Sequence, residues 1–402
     1  MLKHYLSNRT ENFQRISLVL IVLIVAGVGT YLIISSRAAS PYENVDASGG
    51  TTNGATAQTC TGSTAGNGQC VVFGGQSSGP VSKAVCNPSP CTQGTLTSSH
   101  VTVDDGAGSS LNRLVQFYRP QGLTNSPSNQ APLVVLYNVS DLNNTTIPQQ
   151  NWESLANQDH FLVVSLTNQW TQPPGCNTSY ATPVAFPLVA CENDCGPSQT
   201  GVCDDTPYIN AALDSLVTTQ NVDQSLIYAT GGSKGGSMTE ETMCDPAMSS
   251  RFAGFAPISA VFISPSTNND PSVLPNCPAL SSHKNFSVQY QFGTSDNAYS
   301  GNLATGFVNA KNEWLFSQTQ NLTNIINPAL GCSNTPTTST LFGSSNNIMT
   351  VYGNCTTAGI STSVVQVNGG GHTYSGLDGV NGFDSALESW TFWTSNAPFN
   401  GP

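Results

Sequence analysis

Two serines stand between glycines at the spacing G-x-S-x-G, which is typical of a serine nucleophile on a sharp turn. One is Ser77, within residues 75–79 (GQSSG), and the other is Ser233, within residues 231–235 (GGSKG). A chain with 37 glycines among 402 residues produces such matches by chance, so the pattern alone selects neither serine. The residues around each serine must therefore show which of the two is the candidate nucleophile.

Only Ser233 has the surroundings that the chemistry requires. It follows the apolar run SLIYAT (residues 225–230) and precedes SMTEETM (residues 237–243), which favours a helix. A strand, a tight glycine turn and a helix lift the hydroxyl off the sheet. The backbone N–H of Lys234 then faces a developing oxyanion. Ser77 has no helix after it, and we interpret it as a loop residue.

A nucleophilic serine needs a base, and the base needs an orienting acid. His372 follows the predicted strand SVVQVN in the glycine-rich loop GGGHTYSG, from which a side chain can reach over the sheet. Asp296 lies just past the strand at residues 286–292 and is the predicted acid, while Asp270 in TNNDP is the weaker rival. The order Ser233, Asp296, His372 is that of an α/β-hydrolase.

Strands and helices alternate from about residue 98, which predicts a mainly parallel sheet with helices on both faces. Strands are predicted at residues 113–120, 132–138, 161–166, 225–230, 252–260, 286–292 and 363–368. Helices are predicted at residues 149–160 and 206–220, after Ser233, around residues 309–317 and at residues 383–396.

The N-terminal region predicts export. Residues 16–36 carry no charge and are long enough to cross a bilayer as a helix, with residues 1–15 left in the cytoplasm. The alternative is a cleaved signal segment, and either interpretation places the remainder outside the cell. Residues 37–97 are predicted to be a Ser/Thr/Gly-rich spacer with a short cysteine-bearing segment, and residues 98–402 the catalytic domain.

The cysteines agree with an extracellular location. All twelve lie after residue 37, and an even number in an exported chain indicates disulfides. Cys332 and Cys355 can close the loop between them. Four cysteines lie between residues 176 and 203, where no histidine occurs, so a stapled loop is favoured over a metal site. We expect neither a metal nor a cofactor.

Charge excludes some partners. The formal net charge is −12, and the part after residue 37 has 7 basic and 22 acidic residues, a balance of −15. Such a surface repels nucleic acid and anionic lipid, so we expect no nucleic-acid partner. Membrane association is expected only through residues 16–36, if they are not cleaved.

From about residue 98 to residue 396 the chain resembles the extracellular poly(3-hydroxybutyrate) depolymerase and feruloyl or acetylxylan esterase group of α/β-hydrolases. The most specific block is NVDQSLIYATGGSKGGSMTEETMCDPAMSSRFAGFAPISA, and FGTSDNAYSG and GGGHTYSG add to it. The resemblance implies a serine esterase with Ser233 as nucleophile, Asp296 as orienting acid and His372 as base. The substrate it implies is an ester of a polymer such as a polyhydroxyalkanoate or an acylated polysaccharide.

Two departures from that family's pattern concern the substrate site. Where the family has His-Gly and then a second oxyanion donor, this chain has Tyr137-Asn138 and then Val139. Where the family has Trp-Pro after its His-Thr pair, this chain has Tyr374 and Ser375. We expect Tyr374, together with Trp170, to offer an apolar face to the substrate.

Two other functions remain open from the sequence. A serine peptidase of the same fold is one, because the three catalytic residues do not distinguish an ester from an amide. The other is a tethered binding protein that has kept the fold while its oxyanion site has changed, an alternative that the sequence Tyr137-Asn138 keeps open.

Overall fold

The computed structural model describes residues 56–59, 69–72, 84–87, 89, 91–104, 110–137, 151–166, 206–262, 270–272, 274, 277, 279–282, 286–297, 305–308 and 314–395. The chain divides into two compact units, residues 1–76 and 77–402. In the first unit, the strands β1 (Thr56–Thr59) and β2 (Gln69–Val72) pair antiparallel.

The second unit carries the large sheet. The strands of this unit are β3 (Val85–Cys86), β4 (Thr92–Asp104), β5 (Ser110–Gln121), β6 (Leu123–Thr124), β7 (Ala131–Tyr137), β8 (Leu162–Leu166), β9 (Val222–Gly232), β10 (Gly254–Ile258), β11 (Ser287–Gly293), β12 (Phe307–Val308), β13 (Trp314–Leu315), β14 (Thr337–Leu341), β15 (Ser344–Tyr352) and β16 (Thr362–Val367).

The helices of the same unit are α1 (Trp152–Asp159), α2 (Thr206–Gln220), α3 (Lys234–Cys244), α4 (Pro246–Ser249), α5 (Ala279–Ser282), α6 (Gln318–Gln320), α7 (Asn327–Leu330), α8 (Thr373–Leu377) and α9 (Ser385–Ser395). A π-helical segment, Asn321–Ile326, joins α6 to α7, and a short 3₁₀ turn, Val380–Gly382, precedes α9.

Ten strands of the described residues form the main sheet, in the order β14-β15-β16-β11-β10-β9-β7-β8-β5-β4. The six central strands, from β16 to β8, are parallel, and the two strands at each edge pair antiparallel. Without the β14–β15 hairpin, eight strands remain, and they can be numbered by their order along the chain. Read across the sheet from β4 to β16, they lie in the order first, second, fourth, third, fifth, sixth, seventh and eighth. The expected mainly parallel sheet is confirmed.

Helices cover both faces of the sheet, which is why β7, in its middle, is apolar along its whole length. All seven residues of β7 are buried. Because side chains alternate along a strand, Leu133 and Val135 pack in the cluster that contains α2, while Val134 and Leu136 pack with residues of α1 and α9. Two-sided burial holds the ends of the parallel strands in fixed positions.

The prediction of a helix around residues 309–317 is wrong for residues 314–317, the part of this range that the structure describes. Trp314–Leu315 is a short strand, and helix α6 begins at Gln318. The start of the helix is set by a capping box. The Ser317 hydroxyl accepts a hydrogen bond from the Gln320 N–H (3.1 Å), and the Gln320 side chain accepts one from the Ser317 N–H (2.9 Å).

Three disulfides join described residues: Cys86–Cys91, Cys244–Cys277 and Cys332–Cys355. The expected pairing of Cys332 with Cys355 is therefore confirmed. The cysteines between residues 176 and 203 lie outside the described residues.

Two further expectations concern the N-terminal half. No helix in the described ranges combines the length and the apolar character that a membrane span needs, and residues 16–36 lie outside those ranges. Strand β4 begins at Thr92 and pairs with β5, so the sheet starts a few residues before the predicted domain start at residue 98.

Candidate active site

Ser233 occupies a sharp turn between β9 and α3. Its backbone has φ 56° and ψ −118°, a conformation that costs a residue with a side chain about 1–3 kcal/mol. The Ser233 N–H donates to the carbonyl of Ile258 in β10 (2.9 Å), and the Ser233 carbonyl accepts from the N–H of Ser237 (2.9 Å). The strand–turn–helix arrangement expected of a nucleophile is present at this serine.

The glycines around Ser233 are required by close backbone packing. A Cβ at Gly235 would overlap the carbonyl oxygen of Tyr137 at the end of β7, and a Cβ at Gly231 would lie 2.8 Å from the same oxygen. A Cβ at Gly236 would lie 2.7 Å from the carbonyl oxygen of Ile258. The strand order reverses at β7, between β8 and β9, and the crevice at such a reversal is where open α/β sheets bind ligands.

Lys234 is the first residue of α3, and the N–H groups of a first helical turn point out of the helix. Its amide therefore lies at the turn that carries Ser233, where an oxyanion donor would be needed. Val139, the second predicted donor, lies outside the described residues, which stop at Tyr137 in this part of the chain.

Asp296 and His372 meet at the neighbouring strand ends. Nδ1 of His372 lies 2.8 Å from Oδ2 of Asp296. The Asp296 side chain is completely buried, whereas 26% of the His372 side chain is exposed. A buried carboxylate on one ring nitrogen fixes the orientation of the imidazole.

Backbone hydrogen bonds join the loops that carry this pair. The N–H of Ser295 donates to the carbonyl of Gly370 (2.8 Å), and the N–H of Thr294 donates to the carbonyl of Val367 (3.0 Å). These loops follow the adjacent parallel strands β11 and β16. The contact between carboxylate and imidazole is thus fixed by the fold rather than by the two side chains alone.

Asp270, the alternative candidate for the orienting acid, does not lie at His372. Its side chain is exposed and accepts hydrogen bonds from the N–H (2.9 Å) and the hydroxyl (2.7 Å) of Ser272, in a local turn. The structure brings Asp296, and not Asp270, to His372.

The residues after His372 pack against the strand that leads to Ser233. A Cβ at Gly232 would lie 3.0 Å from Cβ of Thr373 and 3.3 Å from Cδ2 of Tyr374. The Tyr374 hydroxyl also lies 2.9 Å from the hydroxyl of Thr230 in β9. The loop of the predicted base therefore lies directly on the end of β9, the strand that leads to Ser233.

The two predicted substrate residues have different outcomes. Tyr374 is only 5% exposed, because it packs in an apolar cluster with Ile258 and Val365, and its hydroxyl bonds to Thr230. It offers no exposed aromatic face, and the expectation of an aromatic substrate wall at this residue is corrected. Trp170 lies outside the described residues, as does Ser77.

Sequence reasoning missed two buried carboxyl groups that bond to β11, the strand that leads to Asp296. Glu240 of α3 accepts hydrogen bonds from Tyr290 (2.9 Å) and Asn321 (3.1 Å), and burial raises the pKa of Glu240 to about 8. Glu388 of α9 accepts one from Gln289 (3.0 Å), and burial raises its pKa to about 7. No local signal marks Glu240, which stands in the polar run TEET.

One group of metal-ligating residue types occurs among the described residues. Cys86, Cys91 and His160 have their ligand atoms within 4.8 Å of one another. The two sulfurs are joined in a disulfide, so neither offers the thiolate that a metal would need.

No protein-family model and no curated protein matches this chain. Among solved structures, an acetyl xylan esterase from Aspergillus awamori is 14% identical with a TM-score of 0.42, over 74% of this chain and 99% of that one. An S-formylglutathione hydrolase from Agrobacterium tumefaciens is 12% identical with a TM-score of 0.44, over 76% and 96%. An acylaminoacyl peptidase from Pyrococcus horikoshii is 12% identical with a TM-score of 0.40, over 77% and 43%.

The topology of the main sheet is that of an α/β-hydrolase fold. Ser233 follows the fifth strand in the order given above, Asp296 the seventh and His372 the eighth, all at the same edge of a mostly parallel sheet. A serine on a strand-to-helix turn, followed along the chain by an acid and then a histidine, is the arrangement of the α/β-hydrolase fold.

Proposed function

We propose that this chain is an extracellular serine esterase that hydrolyses carboxylic esters. The observation that supports this most directly is the 2.8 Å contact between Nδ1 of His372 and the buried carboxylate of Asp296. The loop that carries this imidazole packs against Gly232, the residue before the strained Ser233. The proposed serine, acid and base thus follow the ends of β9, β11 and β16, three parallel strands of the same sheet.

In the proposed reaction, the Ser233 hydroxyl attacks the ester carbonyl while His372 takes its proton. The Lys234 amide stabilises the oxyanion of the tetrahedral intermediate. His372 then gives the proton to the departing alcohol, which leaves an acyl-enzyme. A water molecule, deprotonated by His372, releases the acid. Asp296 keeps the imidazole oriented and stabilises its charged form.

The proposed substrate is an uncharged ester, and a polymer such as a polyhydroxyalkanoate or an acylated polysaccharide fits best. Of the arginine side chains that the structure describes, Arg119 donates to the Leu123 carbonyl (2.8 Å) and Arg251 pairs with Asp214 (2.7 Å). Both are bound to the protein itself, so neither supports recognition of phosphate. The acidic balance after residue 37 also disfavours anionic substrates.

The proposed location is outside the cell, with the chain anchored through residues 16–36 or released after cleavage. The disulfides between described cysteines support an oxidising compartment. A spacer at residues 37–97 would hold the catalytic domain away from the membrane, where an extended polymer can reach it.

The test uses the purified full chain with p-nitrophenyl acetate. We expect turnover in the wild type, loss of turnover in Ser233→Ala and unchanged turnover in Ser77→Ala. A fluorophosphonate probe should label Ser233, as read by mass spectrometry of the labelled peptide. A panel of feruloyl, acetyl-glycan and hydroxyalkanoate esters then identifies the acyl group.

Two outcomes would replace the proposal. Faster cleavage of peptide amides than of every ester in the panel would make the chain a peptidase. Absence of both labelling and turnover in a folded wild type would favour a binding protein.

A further inference from the structure

A chain of buried hydrogen bonds connects the loop of His372 to the strand that ends at Ser233. The Tyr374 hydroxyl, two residues after His372, lies 2.9 Å from the Thr230 hydroxyl, three residues before Ser233. The Thr230 hydroxyl in turn donates to the carbonyl of Ala256 in β10 (2.6 Å). Thr230 is fully buried and Tyr374 almost so.

The direction of these bonds follows from the number of protons. A threonine hydroxyl has one proton, and the Thr230 hydroxyl donates its proton to the Ala256 carbonyl. Thr230 therefore accepts the bond from Tyr374, whose hydroxyl is the donor. Burial raises the pKa of Tyr374 above its ordinary value, which keeps this proton in place.

The backbone between Tyr374 and His372 is strained. Thr373 has φ 58°, a left-handed conformation that is rare for a β-branched residue. Such strain persists only where the surroundings hold it. On one side the Thr373 N–H donates to the hydroxyl of Ser259 (3.0 Å), and on the other side Tyr374 is bonded to Thr230.

The packing leaves this loop little room. The Cβ of Thr373 lies so close to Gly232 that a Cβ there would come within 3.0 Å of it. Any shift of Tyr374 would therefore move Thr373 against the residue that precedes Ser233. The imidazole of His372 is fixed at its ring by Asp296 and at its backbone by this contact.

We infer that Tyr374 is a positioning residue, which sets the position of the His372 imidazole relative to the Ser233 hydroxyl through its hydrogen bond to Thr230. The inference depends on the proposed function, since it concerns the same nucleophile and base. Tyr374 does not touch the substrate in this role, so its removal affects kcat rather than KM.

The test measures kcat and KM for p-nitrophenyl acetate, and the rate of fluorophosphonate labelling, on the full chain. Tyr374→Phe should lower kcat and the labelling rate about tenfold, with KM changed less than twofold, because misplacement of a base slows the chemical step. Thr230→Val should lower kcat further, because it leaves the buried Tyr374 donor without an acceptor. Thr230→Ser should restore kcat to within about twofold of the wild type.

The combined variant Thr230→Val with Tyr374→Phe should be no slower than Thr230→Val alone, because the unsatisfied donor is gone. Tyr118→Phe is the matched control. Tyr118 is also a buried tyrosine, whose hydroxyl accepts from the Gly94 N–H and donates to Asn157 (both 2.8 Å), but it lies in β5. It should lower the melting temperature and leave kcat unchanged.

An active wild type with an unchanged kcat in Tyr374→Phe would overturn this inference and leave the proposed function intact. An equal loss of kcat in Tyr118→Phe would also overturn it, because general loosening would then explain the effect. A folded wild type that neither turns over esters nor reacts with the probe would overturn the proposed function and the inference together.

Discussion

Glu240, in the helix that begins beside Ser233, accepts a hydrogen bond from the hydroxyl of Tyr290 in β11, the strand that leads to Asp296 (2.9 Å). Both side chains are buried, and Asn321 bonds to the same carboxyl oxygen (3.1 Å). This contact joins helix α3, which begins directly after Ser233, to strand β11, which leads to Asp296.

We expect Glu240 to make stability depend on pH. Burial raises its pKa from 4.5 to about 8, so the folded protein keeps a proton that the unfolded chain has lost between these values. The contribution of Glu240 to stability should therefore be fully present below about pH 4.5 and be lost as the pH rises to about 8, by up to a few kcal/mol. Urea unfolding of wild type and Glu240→Gln at several pH values measures this.

Glu240→Gln should flatten that dependence, since glutamine does not titrate. Glu388→Gln provides a comparison, because burial raises the pKa of Glu388 only to about 7 and its effect should end at a lower pH. Equal pH dependence in wild type and Glu240→Gln would contradict the prediction.

The acid can be tested with a variant that keeps its shape. Asp296→Asn should lower kcat by about 10²–10⁴-fold, because an amide does not stabilise the imidazolium that forms during attack. Asp270→Asn is the control and should leave kcat unchanged, because Asp270 is exposed and bonded to Ser272 in its own turn. Steady-state kinetics measure kcat for both variants. Similar losses of kcat in the two would contradict the assignment of Asp296 as the acid.

Gly235 should not tolerate a methyl group. Gly235→Ala places a Cβ on the carbonyl oxygen of Tyr137, so it should lower stability by about 1–3 kcal/mol and lower kcat by displacing the turn at Ser233. Gly353→Ala is the matched control, because nothing lies within 4 Å of a Cβ there. It should change stability by less than about 1 kcal/mol. Urea unfolding and ester turnover measure both effects.

The disulfides should differ in what they contribute. Cys332–Cys355 closes a separation of 23 residues, and its removal by alanine at both positions should lower the free energy of unfolding by about 3 kcal/mol. Removal of Cys86–Cys91, with a separation of 5, should cost about 1 kcal/mol less, because less chain entropy is restricted. The reverse ranking in urea unfolding would contradict this account.

Local sequence carries much of the fold and of the candidate site. The strands that end before Ser233, Asp296 and His372 are apolar runs with glycine-containing turns after them, and these features can be read without knowledge of distant residues. Chain order then places the three side chains at the same edge of a parallel sheet. The hydrogen bond between Asp296 and His372 agrees with that expectation.

What escaped prediction depends on contacts between distant segments. Strand β14 is polar and exposed, so its sequence lacks the apolar alternation that predicts a strand. It is a strand because it pairs with β15. Glu240 is buried by β11 and the π-helical segment, about 50 and 80 residues away along the chain. Tyr374 follows a loop histidine, and it is buried because it packs in a cluster with Ile258 of β10 and Val365 of β16.

The order of the strands also bears on when the protein can first act. Ser233 and Asp296 precede β14, but His372 follows β16, which must insert between β15 and β11. A chain that has been synthesised or exported only as far as residue 361 holds the serine and the acid without their base. On the proposed function, we expect such a partial chain to be inert towards esters. Hydrolytic activity would then report that the C-terminal part of the sheet has been completed.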